Sequence, residues 1–426
     1  MRELTELHRH GRAIFAHALS SVDPRKAVRQ AIASANPDPP IYAIAIGKAA
    51  KTMALGLAEA LGDKLVAGVI SASELLDTQP WQSFVAGHPL PNEASLEAAR
   101  AAFRLLDRAN SEQALVIFLI SGGGSALCEW PISDDISLAD LRRANQVLVS
   151  CGARIAEVNS VRRAFSGVKG GALARRAARA QILTLIVSDT NRGDEASVAS
   201  GPSMPAPADA PNAIDVLERY RLEPLLPESI LNAVQRARPA NSAPLGSHVV
   251  LLDNWTAIDA ARNKAFELGF TCATAAEVSE LPIAAGCELL LSQLFSNDTD
   301  QSFCLISGGE FSCPVRGNGR GGRNLETVLR CAIILDQKHR QDRRHAVILS
   351  AGTDGIDGNS PAAGAIADET TLERARNLGL DPNDFLARSD SYTFFKQLGD
   401  LIVTGPTGTN VRDLRILISS TEPPQL

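Results

Sequence analysis

Aromatics, methionine and any cysteine pattern are scarce in this chain. Three Trp, three Tyr, thirteen Phe and three Met stand among 426 residues. Its cores must therefore be built from alanine and aliphatic side chains, which suits helices laid on sheets. The seven cysteines include no C-x-x-C pair and no histidines at zinc spacing. A zinc module or a disulfide scaffold is not indicated; reduced, mostly buried thiols in a cytoplasmic protein are expected. No apolar run reaches the roughly 18–20 residues of a membrane span. The opening MRELTELHRHGRAIFAHAL carries charge throughout, unlike a secretory signal, and reads as an amphipathic surface helix with His8, His10 and His17 in solvent. A net charge of −6 argues against nucleic acid as a partner, so any anion site must be local.

What the chain does have is a recurring unit: a short apolar run, then a loop of Gly, Ser, Thr, Asp, Asn, Lys and Arg, then a helical stretch. Ile41–Ile46 runs into Gly47-Lys48-Ala49. Lys48 there stands at a helix start, where a cation opposes the dipole, so a functional role competes with that of a plain surface lysine. Leu115–Ile120 ends in Ser121-Gly122-Gly123-Gly124-Ser125, whose glycines let backbone approach a ligand. It lacks the Gly-Lys-Ser/Thr of a Walker A loop. Ile182–Val187 ends in Ser188-Asp189-Thr190-Asn191-Arg192-Gly193-Asp194; Asp189 suits a metal or a substrate hydroxyl, against the alternative of a turn aspartate bonded to its own backbone. In Asn159–Leu173, Arg162, Ser166 and Lys169 fall on one face at helical spacing, as a binding surface or a solvated basic face.

In the second half, Phe303–Ile306 leads into Ser307-Gly308-Gly309-Glu310 and a loop with Arg316, Arg320 and Arg323, before a helix over Asn324–Leu335. Arginine forks suit phosphate or carboxylate. Ala346–Ser350 precedes a loop with Asp354 and Asp357 that lacks the EF-hand spacing and glutamate. Leu401–Val403 precedes Thr404–Asn410, with Thr407 and Asn410 as binding candidates. A Pro-, Ala- and Asn-rich stretch over Pro205–Pro244 reads as the connection between two domains, 1–240 and 241–426. The fold expected is α/β in two domains, the first a Rossmann-like three-layer α/β/α, with the active site in the cleft between them. Open α/β sheets bind ligands beyond the carboxyl ends of their strands. Donors, cations and carboxylates in such loops match phosphoryl transfer.

These motifs, in order, resemble the class II glycerate kinases, which have an N-terminal glycerate-kinase domain and a C-terminal MOFRL domain. The resemblance rests on AIGKAA (45–50), GHPLP (87–91), ISGGGSAL (120–127), NSVRRAFSGVKGG (159–171), SDTNRGDEASVASGP (188–202), ISGGE (306–310), GNGRGGRNLE (317–326), GTDGIDG (352–358), AAGA (362–365) and TGPTGTNV (404–411). It departs at Phe311-Ser312-Cys313, Leu325 and Ser389. It implies ATP- and Mg2+-dependent phosphorylation of D-glycerate at the 2-hydroxyl. Lys48, Asp189 and Arg323 would be catalytic. Ser121, Gly122, Gly123, Gly124, Ser125, Arg162, Lys169, Glu310, Asn324, Asp354, Thr407 and Asn410 would bind substrate or nucleotide. Asp189 and Asp354 are the metal candidates, and whether Asp189 is base or ligand stays open. Small-molecule partners are expected, with a homodimer among the expected assemblies. The rival is an NAD(P)H-dependent hydroxypyruvate reductase with Gly317–Gly322 as a displaced dinucleotide loop, since members of this family often carry that label. A non-enzymatic ligand sensor is the third reading.

Overall fold

The computed structural model describes residues 2–38, 40–237, 245–296, 302–338 and 344–421. The chain forms two compact units, Pro24–Leu252 and Met1–Asp23 with Asp253–Leu426. We call them the N-terminal and C-terminal units. The boundary expected at residue 240 lies outside the described residues. Among the described residues no helix is long and apolar enough to cross a membrane.

The N-terminal unit is built on six strands: β1 (Ile41–Ile46), β2 (Leu65–Ala72), β3 (Trp81–Val85), β4 (Leu115–Ser121), β5 (Gln181–Val187) and β6 (Ser247–Leu252). Their order is β3-β2-β1-β4-β5-β6 and every pairing is parallel. β1 is buried along its whole length, as its continuous apolar run requires of a parallel strand covered on both faces. Tyr42, Ile44, Phe118 and Ile120 pack with Ala102, Leu105, Leu106 and Ala109 of the helix Glu93–Glu112. This is the strand order of the doubly wound dinucleotide-binding sheets, which reverses direction between the first and fourth strands. β6 belongs to this sheet; the expected boundary had assigned it to the second domain.

The C-terminal unit has β7 (Thr271–Thr274), β8 (Phe303–Gly309), β9 (His345–Gly352), β10 (Gly364–Asp368), β11 (Leu401–Ile402) and β12 (Asp413–Ser420). Their order is β11-β10-β9-β12-β8-β7. Only β7 and β8 pair in parallel; the other four pairings are antiparallel. β10 was not foreseen, because Gly364-Ala365-Ile366-Ala367-Asp368 is small and Ala-rich and gives no strand signal. The helices Ile283–Phe295 and Arg323–Lys338 cover one face with Cys287, Leu290, Cys331 and Leu335 against Leu305, Ile348 and Leu417.

The first helix, Arg2–Ser21, covers the other face. Leu7, Ile14, Phe15 and Ala18 pack with Ile258, Ile306, Val347 and Ile416. This corrects two expectations. The helix belongs with the C-terminal segment rather than with residues 24–240. Its histidines are not all solvated: His10 is fully buried with its ring edge-on to Phe270 at 5.5 Å, and His8 Nε2 bonds Asp368 Oδ2 at 2.8 Å.

Candidate functional site

In the N-terminal unit the loops after β1, β4 and β5 converge where the strand order reverses. Gly47, with φ of +126°, turns the chain out of β1. The Lys48 amide donates to the Gly122 carbonyl at 2.9 Å, and the Ala49 amide donates to Ser121 Oγ at 3.1 Å. The two loops are thus stitched together by main-chain amides of one and a carbonyl and a hydroxyl of the other. Glycine is required here by contact as well as conformation. A Cβ at Gly122 would lie 1.8 Å from Asp189 Oδ2, and one at Gly123 would lie 3.0 Å from Lys48 Cγ and 3.3 Å from His88 Nε2. Lys48, Asp189 and His88 therefore surround the Gly122–Gly123 peptide. Lys48 and Asp189 are both half-buried. A cation, a carboxylate and closely approached main chain at a switch point form the kind of crevice in which such sheets bind ligands.

Not every residue expected in this cluster faces a ligand. Ser121 is fully buried and its hydroxyl ties the two loops. Ser125 Oγ pairs with Ser200 Oγ at 2.7 Å, and Ser200 Oγ donates to Asn159 Oδ1 at 2.8 Å. Ala199 and Ser200 both have positive φ, 53° and 62°, a conformation side chains disfavour. Asn159 and Ser200 lie within quoted motifs, but their pairing over 41 residues leaves no local trace in sequence.

Arg162 and Lys169 are placed differently from the expectation of one basic helix face. The helix Ile155–Phe165 ends before Ser166, whose ψ is 131°. Lys169 and Ser166 turn inward onto Glu129: the Lys169 ammonium pairs with its carboxylate, and Ser166 Oγ donates to it at 2.5 Å. Arg162 Nε donates to Asn145 Oδ1 at 2.9 Å. Burial lowers the pKa of both cations, while Glu129 opposes that for each. Lys169 is a core ion pair with no exposed side-chain surface, so it presents no charge to a ligand.

The C-terminal unit gathers a second cluster from the ends of β8, β9 and β12 and the start of the helix Arg323–Lys338. Arg323 Nη2 donates to Glu310 Oε1 at 2.7 Å and Arg323 Nε to Asp413 Oδ2 at 2.6 Å. Burial works against its charge, but Asp413 and Glu310 outweigh that and raise its pKa. Asn324 Nδ2 donates to Asp413 Oδ1 at 2.8 Å, and Ser350 Oγ donates to Asn324 Oδ1 at 2.6 Å. Asp357 caps the helix, accepting from the amides of Asn324 at 3.0 Å and Leu325 at 2.8 Å. Burial pushes Asp357 up to about 7, helped by the Asp413 carboxylate and opposed by those amides. Asp354 approaches the same group: a Cβ at Gly352 would lie 3.2 Å from Asp354 Oδ1 and 3.5 Å from Asp413 Oδ1. Asp413 was missed in sequence because it meets Arg323 across 90 residues.

The glycine- and arginine-rich loop before that helix is not an anion cradle. Gly319 N donates to the Arg388 carbonyl at 3.0 Å, Arg320 N to Asp390 Oδ1 at 2.9 Å, and Gly321 N to Asn359 Oδ1 at 2.8 Å. Its glycines permit close packing on 357–358 and 388–391. Arg316 pairs with Glu326 at 3.2 Å, and the Arg320 guanidinium lies over the Tyr392 ring at 4.7 Å. These three amides are spent within the protein, which counts against a dinucleotide loop. Thr407 Oγ1 donates to the Thr353 carbonyl at 2.6 Å and Asn410 Oδ1 accepts from the Arg412 amide at 3.3 Å; both brace the loop that follows β11.

Among the described residues no group of three or more His, Cys, Asp or Glu could hold a metal ion. Magnesium is usually held by one or two carboxylates plus phosphate oxygens, so a nucleotide-borne magnesium would need no such group.

Residues 10–235 match the family model described as a domain of unknown function (DUF4147), and residues 303–413 match the MOFRL family. The chain is similar to a protein of Thermotoga maritima named D-glycerate 2-kinase, with 36% identity over 95% of this chain and 96% of that one. It is also similar to an Agrobacterium vitis protein named putative hydroxypyruvate reductase, with 34% identity over 96% and 93%. The crystal structure of a Thermotoga maritima glycerate kinase superposes with a TM-score of 0.84 at 33% identity, covering 97% of this chain and 99% of that one.

Proposed function

This chain belongs to the glycerate 2-kinase family, a DUF4147 domain followed by a MOFRL domain, and from that membership we infer that it transfers the γ-phosphoryl group of ATP to D-glycerate. The product is 2-phosphoglycerate and the other product ADP. The observation that carries the reading is the switch-point cluster, where Lys48 and Asp189 close on the Gly122–Gly123 peptide.

Phosphoryl transfer asks little covalent chemistry of a protein and much positioning and charge stabilisation. We assign Lys48 to the transferring phosphoryl group, where a fixed ammonium offsets charge developing on its oxygens. Asp189 accepts the hydrogen bond of the 2-hydroxyl and aims its oxygen in line. Arg323 supplies a planar fork for an anionic group, phosphate or carboxylate, with Asp413 and Glu310 fixing its orientation. Were magnesium to accompany ATP, Asp354, or Asp189 in place of its hydroxyl role, would hold it, and the ion would offset charge on the phosphate oxygens.

Hydride transfer has less support. The loop that would serve a dinucleotide spends its amides on Arg388, Asp390 and Asn359. The test is the identity of the product. With D-glycerate and MgATP, phosphorus NMR should show 2-phosphoglycerate accumulating with ADP. Accumulation of 3-phosphoglycerate would overturn the assignment of the hydroxyl, and absence of any phosphoglycerate would overturn the reaction.

A further inference from the structure

β7 is the edge strand of the C-terminal sheet, and it runs parallel to β8 with Cys272 in register with Cys304. Registered residues on neighbouring strands point to the same face, about 4.8 Å apart along the hydrogen-bonding direction. A disulfide needs Cα atoms roughly 4.4–6.8 Å apart, so this pair is within bridging reach without moving backbone. The environments of the two thiols differ. Cys304 is fully buried among Ile258, Phe270 and Ile306. Cys272 is half-buried at the open edge of the sheet. Cys272 Sγ lies 3.5 Å from the Phe270 carbonyl oxygen, to which it donates. Its interaction with the Cys304 thiol, with the Arg262 guanidinium adding to it, outweighs burial and lowers the Cys272 pKa, while Cys304 is raised well above its usual range.

We infer that Cys272 and Cys304 form an oxidisable dithiol, in which Cys272 is the site of attack on a hydroperoxide and Cys304 the resolving thiol. The Cys272 thiolate attacks a peroxide oxygen, giving a sulfenic acid and releasing water once a proton is taken up. The Cys304 sulfur then displaces the sulfenic hydroxyl as a second water and closes the disulfide. Two electrons leave the sulfurs and reduce one peroxide to two waters. A reachable, activated thiol beside a buried partner is the arrangement that makes oxidation site-selective. The molecule contains its own control. Cys287 and Cys331 also interact, on the two helices that cover the sheet, but both are fully buried, out of reach of peroxide in solvent. The inference is independent of the phosphotransfer reading.

The experiment treats the full chain, first reduced, with a small excess of hydrogen peroxide. Free thiols are counted and the digest is read by mass spectrometry. The thiol count should fall from seven to five, with one cross-linked peptide joining Cys272 and Cys304, reversed by dithiothreitol. Cys272→Ser should lose thiols at least tenfold more slowly. Cys304→Ser should instead leave a sulfenic acid on Cys272 that dimedone traps. Seven thiols retained in the wild type, a bridge between other cysteines, or an unchanged rate in Cys272→Ser would each overturn the inference.

Discussion

The two loop clusters are built in opposite ways. In the N-terminal unit the cluster is mostly main chain: amides and carbonyls of the β1 and β4 loops hold each other, and glycines make room for Lys48, Asp189 and His88. In the C-terminal unit it is mostly side chain, with Arg323 and Asn324 held by Glu310, Asp413 and Asp357. A main-chain cluster is stiff and sets its charged side chains around one peptide. A side-chain network fixes the direction of one guanidinium at the cost of surrounding it with carboxylates. The first arrangement suits a point charge on a moving phosphoryl group; the second suits a fork that reads the shape of an anion.

The largest expected effect breaks the first half of that comparison. Lys48→Ala should lower kcat on the order of 10²–10³-fold, as loss of one transition-state donor does, with an unchanged far-ultraviolet circular dichroism spectrum. A folded variant near the wild-type rate would remove Lys48 from the chemistry. Gly122→Ala tests the main-chain construction itself. Its Cβ would fall on Asp189 Oδ2, and the displacement should cost about 10²-fold in kcat, without a comparable loss in melting temperature. Normal turnover would show that Asp189 does not have to stand where it does.

Arg323→Lys sharpens the second half. It keeps the charge and loses the fork, so kcat/KM should fall roughly 10–100-fold, the value of about one or two charge-assisted hydrogen bonds. A change of less than twofold would reduce Arg323 to a point charge like Lys48. Asp357 gives the network a pH signature. Its pKa is about 7 in the folded chain against the usual 3.8, so between those values the folded state holds a proton that the unfolded state has released. Its contribution to stability is complete below about 4 and is lost as pH rises through 7, with a slope of about 1.4 kcal/mol per pH unit. Asp357→Asn should flatten that part of the stability–pH curve in urea titrations, and an unchanged curve would contradict the assignment.

The smallest expected effect lies away from both clusters. Burial would raise Asp368, but hydrogen bonds from His8 and Thr370 outweigh it and bring it down to about 2. This stabilisation is present above the usual 3.8 and is lost as pH falls through 2. His8→Ala should cost roughly 1–2 kcal/mol at neutral pH and nothing once Asp368 is protonated. Equal loss at both pH values would make the contact one of packing alone.

Strands such as β1 and β4, with the loops after them, were legible because each is a continuous apolar run ending in Ser or followed by Gly. Ile41–Ile46 and Leu115–Ile120 could be placed from that pattern, and with them Lys48 and the three glycines. What sequence hid was side-chain pairing across long separations. Lys169 and Arg162 look like a basic face in a local window, yet Glu129, 40 residues from Lys169, draws the lysine into the core. Asp413 and Ser200 carry no local signal, because a partner 90 or 41 residues away gives none. The first helix was misread for a related reason: its amphipathic pattern shows that one face is buried, and says nothing of which sheet buries it.

One paired assay on a single purified sample separates phosphoryl transfer from hydride transfer. One half supplies D-glycerate and MgATP with a coupled readout of ADP; the other supplies hydroxypyruvate and NADH. ADP release should depend on D-glycerate, with no oxidation of NADH. NADH oxidation without ADP release would contradict phosphoryl transfer.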